Sequence, residues 1–258
     1  MNAFPLLVAL AATLAAPAAQ AIPLTPLVSG TFTDGDGANS RWVQVSDSWL
    51  GSIHGAETWG TGIWGLADHA LVMGLASGHS DIVRTHTGVV SQINFADENF
   101  ISAYGTSWAS PALAPLFSGG EGQDNWAVSF TGYLAIPTTG FYNLGVLYDD
   151  GFRFTLTDQS GSSSLVMDGL NPRDRLGFAS DLELTAGLYS YTLDAYERLE
   201  VSAIQLAWFT PGASDWSVIP QSQLYTTLPS PVPEPSQAVL LASGLLGVFA
   251  WRRARRTA

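Results

Sequence analysis

The sequence has no cysteine and no lysine among its 258 residues. Without cysteine there are no disulfide bonds, so an exported fold must be held by core burial, with or without a bound metal ion. The four histidines lack the spacing of a zinc enzyme. A Gly-x-Ser-x-Gly nucleophile elbow and a phosphate-binding loop are also missing. The motifs of common hydrolases, zinc enzymes and nucleotide-binding proteins are therefore not present.

Positive charge is scarce and unevenly distributed. Residues 22–231 hold six arginines against 21 acidic residues, which gives them a formal charge of −15. A surface this acidic repels nucleic acid and suits calcium or neutral sugars as ligands. The sequence therefore predicts no nucleic-acid partner.

The amino-terminal residues have the pattern of a secretory signal peptide. A largely apolar run covers residues 6–16, and Ala19-Gln20-Ala21 follows it. Small residues at Ala19 and Ala21 fit signal peptidase, so we predict a signal peptide over residues 1–21 with cleavage after Ala21. The run is too short for a stable membrane span. No Lys or Arg precedes it, which departs from the usual pattern.

The carboxyl-terminal residues 232–258 combine three features in a fixed order. Pro233-Glu234-Pro235 comes first, an apolar segment follows at 238–251, and four arginines follow that, namely Arg252, Arg253, Arg255 and Arg256. Clustered arginines stay on the cytoplasmic side of a membrane, so the segment reads as a short membrane helix or transient anchor. The alternative is a buried core helix beside a solvated basic patch. A core helix is usually amphipathic, whereas residues 238–251 are apolar nearly all round, which favours the membrane segment.

This order resembles the PEP-CTERM sorting signal of Gram-negative bacteria that make extracellular polysaccharide. The resemblance implies processing by an exosortase, a membrane-embedded transpeptidase-like enzyme. It also implies a location in the cell envelope, on the cell surface or in the extracellular matrix. Residues 227–231 would link the tail to the folded part, and the sequence leaves open whether the tail is cleaved.

The middle of the chain predicts an all-β fold. Apolar and polar residues alternate in short runs from residue 89 onward, and Gly, Pro and Asp turns separate the runs. This pattern is typical of an antiparallel β-sandwich or barrel. Residues 22–88 are rich in Gly and Trp and have no clear period. They predict one short helix over 66–75 and a region packed on, or continuous with, the sandwich.

Residues 89–226 resemble the protective-antigen ("PA fourteen") domain. The matching segments include 130–134, 137–142, 148–153, 184–189 and 206–208. The resemblance implies a β-sandwich of a kind found in toxins, glycosidase accessory domains and fungal adhesins, many of which bind carbohydrate. In the calcium-dependent adhesins, two adjacent aspartates hold a calcium ion that binds sugar hydroxyls. Asp149 and Asp150 match that pair, and Glu197 begins the stretch that matches the second calcium loop.

Two interpretations of Asp149-Asp150-Gly151 stay open at this stage. Neighbouring residues of a strand point to opposite faces, so both carboxylates meet one ion only if the chain turns sharply or their peptide bond is cis. Calcium tolerates such irregular oxygen sites. Alternatively, Asp-Gly is a common β-hairpin turn.

Three functions follow from these patterns. The leading prediction is a non-enzymatic, envelope-associated protein that binds carbohydrate or belongs to the extracellular matrix. The second is a purely structural surface protein that binds no sugar. The third is an exopolysaccharide hydrolase, for which two carboxylates would have to face each other across a cleft.

Overall fold

The structure is a computed structural model that describes residues 24–51, 60–104, 108–116, 124–161, 163–170 and 175–229. The predicted signal peptide, with Ala19 and Ala21, lies outside the described residues. So does the predicted tail, with Pro233, Glu234, Pro235 and the four terminal arginines. Within the described part of the chain, no helix is long and apolar enough to cross a bilayer.

The described residues form thirteen strands and two short α-helices. The strands are β1 (Val28–Ser29), β2 (Ala38–Val45), β3 (Ile82–Val90), β4 (Asn94–Ala96), β5 (Trp126–Ile136), β6 (Gly140–Asp149), β7 (Gly151–Thr157), β8 (Ser163–Gly169), β9 (Leu176–Leu184), β10 (Gly187–Glu197), β11 (Ala203–Phe209), β12 (Ser217–Val218) and β13 (Leu224–Tyr225). The helices are α1 (Leu66–Gly74) and α2 (Glu98–Tyr104). Helix α1 confirms the short helix predicted over 66–75.

The strands build two antiparallel sheets. Sheet 1 has the order β3-β2-β5-β10-β7-β8, with β1 beside β10 and β13 beside β5. Sheet 2 has the order β12-β11-β6-β9, with β4 beside β11. Non-consecutive neighbours in both sheets are typical of a sandwich. The predicted all-β sandwich is confirmed.

The main core lies between the two sheets because each strand alternates apolar residues inward. Sheet 2 contributes Tyr142, Leu144, Val146 and Tyr148 from β6, all of them buried. Sheet 1 contributes a cluster centred on Trp42, whose ring lies 5.4 Å from that of Phe130 in an edge-to-face arrangement. Such aromatic packing supplies the buried area that this chain has to obtain without disulfides.

The Gly- and Trp-rich region is continuous with the sandwich. Strands β2 and β3 extend sheet 1, and the predicted boundary at residues 88/89 falls inside β3. Helix α1 covers the outer face of this sheet, where Val72 packs in one apolar cluster with Val43 and Ala127. This region therefore completes the sheet that supports the site.

The chain crosses from sheet 2 to sheet 1 at Asp149 and Asp150. Asp149 ends β6, which pairs with β9 and β11, whereas Gly151 begins β7, which pairs with β8 and β10. Strands β6 and β7 are therefore not hydrogen-bonded partners. The hairpin-turn interpretation of Asp149-Asp150-Gly151 was wrong, because a hairpin joins two paired strands.

Candidate functional site

The crossover brings two carboxyl groups together. The peptide bond between Asp149 and Asp150 is cis. The backbone N–H of Asp150 donates to the carbonyl oxygen of Tyr196 over 2.9 Å, which fixes the crossover against β10. The two carboxyl groups lie close enough to each other for the Asp150 carboxylate to raise the pKa of Asp149. The two acids of the predicted pair therefore point to one place.

Burial has the largest effect on the acidity of this pair. Burial first, and then the neighbouring Asp150 carboxylate, together raise the pKa of Asp149 to about 8. The Arg175 guanidinium opposes this shift from 3.8 Å, too far for a hydrogen bond. Burial also raises the pKa of Asp150, although the backbone N–H of Arg198 donates to its Oδ2 over 2.7 Å. Ionising both acids at once is therefore costly unless a cation lies beside them.

Glu197 adds a third acid at the end of β10. Its side chain is fully buried, and neither carboxyl oxygen has a hydrogen-bond partner. Burial raises its pKa well above the ordinary value, and the charges of Asp150, Asp124 and Asp149 act in the same direction. A buried carboxyl without partners is costly unless it is protonated or a cation lies near it.

The loop after β10 is held by a buried aspartate. Asp97 accepts a hydrogen bond from the backbone N–H of Phe100 in α2 and another from that of Ser202, the latter over 2.9 Å. One carboxylate therefore caps the start of α2 and anchors the end of the loop. This arrangement fixes residues 198–202 beside the aspartate pair.

Arg198 builds one wall of the site. Its positive charge lowers the pKa of Asp150. Its Nε donates to the carbonyl oxygen of Thr61 over 2.9 Å, and its guanidinium lies 3.8 Å from the centre of the Trp64 ring. Gly62 permits this approach, because a Cβ there would lie 2.9 Å from Arg198 Cγ and its φ is +101°.

These groups surround an open cleft of about 320 Å³. Its lining includes Trp64, Asp150, Leu170, Tyr196, Arg198 and Leu199. Small-molecule sites are usually mostly apolar clefts of this size or larger, with a few polar groups that orient the ligand. The cleft has this composition, and the aspartate pair lies at its edge.

The cleft depends on residues that the sequence did not single out. Trp64 belongs to the Gly- and Trp-rich region, whose lack of a period gave no signal for a site. The nearest signal was the glycine pair at 60 and 62, both of which have positive φ here. Glycine inside an aromatic-rich segment often marks a close backbone approach.

No group of three or more His, Cys, Asp or Glu side chains suited to a metal ion occurs among the described residues. Glu197 thus does not join Asp149 and Asp150 in such a group. His69 is a core residue whose Nε2 lies 3.0 Å from the carbonyl oxygen of Val128.

The raised pKa of Asp149 predicts how the stability of the protein responds to pH. Between the ordinary pKa of 3.8 and about 8, folded Asp149 keeps a proton that the unfolded chain has lost. Stability therefore falls as pH rises through this window. In chelator, we expect the native protein to melt at a lower temperature near pH 8 than near pH 5, and Asp149→Asn to flatten this difference. Equal pH dependence in both proteins, measured by calorimetry, would contradict this.

Comparison with known proteins finds a family match for the tail and solved structures of similar fold. Residues 231–256 match the family described as the PEP-CTERM protein-sorting motif. No curated protein matches the sequence. The fold is similar to the epithelial adhesin 6 A domain from Candida glabrata, solved in complex with Galβ1-3GlcNAc, at 13% identity and a TM-score of 0.51. That match covers 79% of this chain and 92% of the adhesin domain.

Two further solved structures are more distant in shape. A PA14 sugar-binding domain from an RTX adhesin is 14% identical with a TM-score of 0.44, and the match covers 74% of this chain and 99% of that one. An anti-sigma factor domain-containing protein from Clostridium clariflavum is 21% identical with a TM-score of 0.46, over 81% of this chain. This chain spans 52% of that protein's length.

Fold and motif together define the class of this protein. Its fold is an antiparallel β-sandwich similar to that of the Candida glabrata adhesin domain, and its sequence carries a PEP-CTERM sorting motif. The motif indicates an exported, cell-surface protein.

Proposed function

We propose that this protein is a non-enzymatic, calcium-dependent carbohydrate-binding protein of a Gram-negative cell surface or extracellular matrix. The observation that carries the proposal is the pair of converging carboxyl groups, Asp149 and Asp150, at the edge of an aromatic-lined cleft. The complex of the similar Candida glabrata adhesin domain with a disaccharide supports a glycan as the ligand.

The chemistry of the aspartate pair fits a calcium ion. Calcium prefers carboxylate and carbonyl oxygens and accepts irregular geometry. Burial first, and then the neighbouring Asp150 carboxylate, raises the pKa of Asp149, and a divalent cation beside the pair would favour the ionised form of both acids. Asp149 and Asp150 would hold the ion, and the buried carboxyl of Glu197 would add to the negative potential around it. When bound, calcium would supply positive charge and free coordination positions for sugar hydroxyls.

The cleft would orient the sugar beside the ion. Trp64, which is partly exposed, offers aromatic surface against the apolar face of a pyranose ring. Arg198 offers donors for hydroxyl oxygens, and its contacts with Thr61 and Trp64 hold it in place before ligand arrives. A preordered wall lowers the entropy cost of binding.

The sorting tail would keep this site outside the cell. An exosortase-type enzyme would process the PEP-CTERM motif, and the apolar segment with Arg252, Arg253, Arg255 and Arg256 would hold the chain in the membrane until then.

A glycan array with the full-length protein tests the proposed function. We expect selective glycan binding in calcium and its loss in chelator. Trp64→Ala should weaken binding by roughly tenfold, which equals about 1.4 kcal/mol. Val83→Ala, at an exposed position on β3, serves as the matched control and should bind like the native protein. Absence of any glycan signal in calcium would favour the structural alternative, and release of sugar from the array would favour the hydrolase.

A further inference from the structure

The outer face of sheet 2 carries an aromatic cluster away from the cleft. Trp108 and Trp216 are stacked, with ring centres 5.7 Å apart and an angle of 22° between the rings. The Phe178 ring lies 5.3 Å from Trp216, and Phe209 lies 6.1 Å from it. These four residues come from a loop, from β9 and β11, and from the residue before β12. We call this group the aromatic face.

A glycine in β6 makes room for the aromatic face. A Cβ at Gly145 would lie 2.9 Å from Trp216 and 3.0 Å from Trp108, so both rings rest on the strand backbone. Phe178 lies directly opposite Gly145 on β9 and is 50% exposed. Phe141, on the same side of β6, is 62% exposed. The two phenylalanines are therefore exposed apolar rings beside two half-buried tryptophans.

Exposed carboxylates flank these rings. Glu183 pairs with Phe141 across β6 and β9, and Asp215 directly precedes Trp216. Asp181 lies on β9 between Phe178 and Glu183. All three acids are exposed. Aromatic rings attract cations over their faces, and carboxylates beside them strengthen that attraction. The charge pattern therefore fits a ligand that combines flat apolar faces with positive charge.

We propose that the aromatic face is a second, calcium-independent site for a polysaccharide of protonated amino sugars. Pyranose rings provide flat C–H surfaces for Phe178 and Trp216, and free ammonium groups provide the charge that Asp181, Glu183 and Asp215 attract. The overall formal charge of −15 for residues 22–231 favours the approach of such a polycation and disfavours an anionic chain. This site differs from the aspartate-pair cleft in position and in ligand charge.

Titration of the full-length protein with soluble chitosan oligosaccharides tests the second site, with fully N-acetylated oligosaccharides of the same length as the comparison. We expect the free-amine form to bind at least about tenfold more tightly. Phe178→Ala keeps every charge and should weaken binding about tenfold. Asp181→Asn with Glu183→Gln should do the same. Val89→Ala, at an exposed position on the edge strand β3, should have no effect.

Other outcomes would overturn the proposal. Unchanged binding of Phe178→Ala would mean non-specific attraction between a polycation and an acidic protein. Equal affinity for the acetylated form would exclude recognition of the amine. Loss of self-association in Phe178→Ala, with chitosan binding intact, would make the aromatic face a contact between two copies. Asp149→Ala with Asp150→Ala should leave chitosan binding unchanged, so failure of the cleft proposal and failure of this one are distinguishable.

Discussion

Calcium should raise the melting temperature of the full-length protein, after treatment with chelator, by roughly 5–10 °C. A ligand that binds only the folded state stabilises it by about 2.7 kcal/mol at a hundredfold excess over Kd. For a chain of this size, each kcal/mol corresponds to roughly 2–4 °C. The physical source is the charge of the cation, which would offset both the burial and the repulsion from Asp150 that raise the pKa of Asp149.

The double variant Asp149→Ala with Asp150→Ala should lose this response altogether. Asp81→Ala with Asp168→Ala removes the same charge from two exposed ion pairs, and it should respond to calcium like the native protein. Differential scanning calorimetry with calcium and with chelator measures both effects. Identical melting temperatures of the native protein in the two buffers would leave the aspartate pair without a role in calcium binding.

Deleting residues 232–258 should move the protein from the cell envelope into the medium. The deletion removes the PEP-CTERM motif, the apolar segment and the arginines that together would retain the chain. Immunoblots of envelope and medium fractions measure the change. A control that deletes only residues 257–258 should stay with the envelope. If the truncated protein fractionates with the envelope as the native protein does, the tail is not the anchor.

Much of the sandwich could be predicted from local sequence. Alternation along β6 placed Tyr142, Leu144, Val146 and Tyr148 on one face, and all four are buried between the sheets. Alternation carries this information because side chains of a strand point to its two faces in turn. The order of strands within the sheets depends on long-range pairing, which local patterns do not encode.

The candidate site was predictable in part. The two adjacent aspartates gave the position, but the hairpin alternative was excluded only by the pairing of β6 and β7 with different sheets. Trp64 could not be predicted, because it reaches the cleft through contacts with Arg198, which is 134 residues away in the chain. The aromatic face gave no signal either, since Trp108, Phe178 and Trp216 lie far apart in sequence and converge only on Gly145.

The sequence and the structure give different reasons to include Glu197 in the candidate site. The sequence named it only because it lies at the start of the loop that matches the second calcium loop. The structure adds that the carboxyl is fully buried without hydrogen-bond partners, which ordinary loop residues are not. A cation at the neighbouring aspartate pair would reduce the free-energy cost of burying the Glu197 carboxyl, because the positive charge of the ion stabilises a nearby acid.

Isothermal titration of the native protein with calcium, followed by the same titration of Asp149→Asn with Asp150→Asn, tests the central claim most directly. These substitutions keep the size of the two side chains and remove their charge. The proposed site predicts that the native protein takes up a single calcium ion and that the double variant takes up none. Absence of calcium uptake by the native protein, or equal uptake by both proteins, would contradict it.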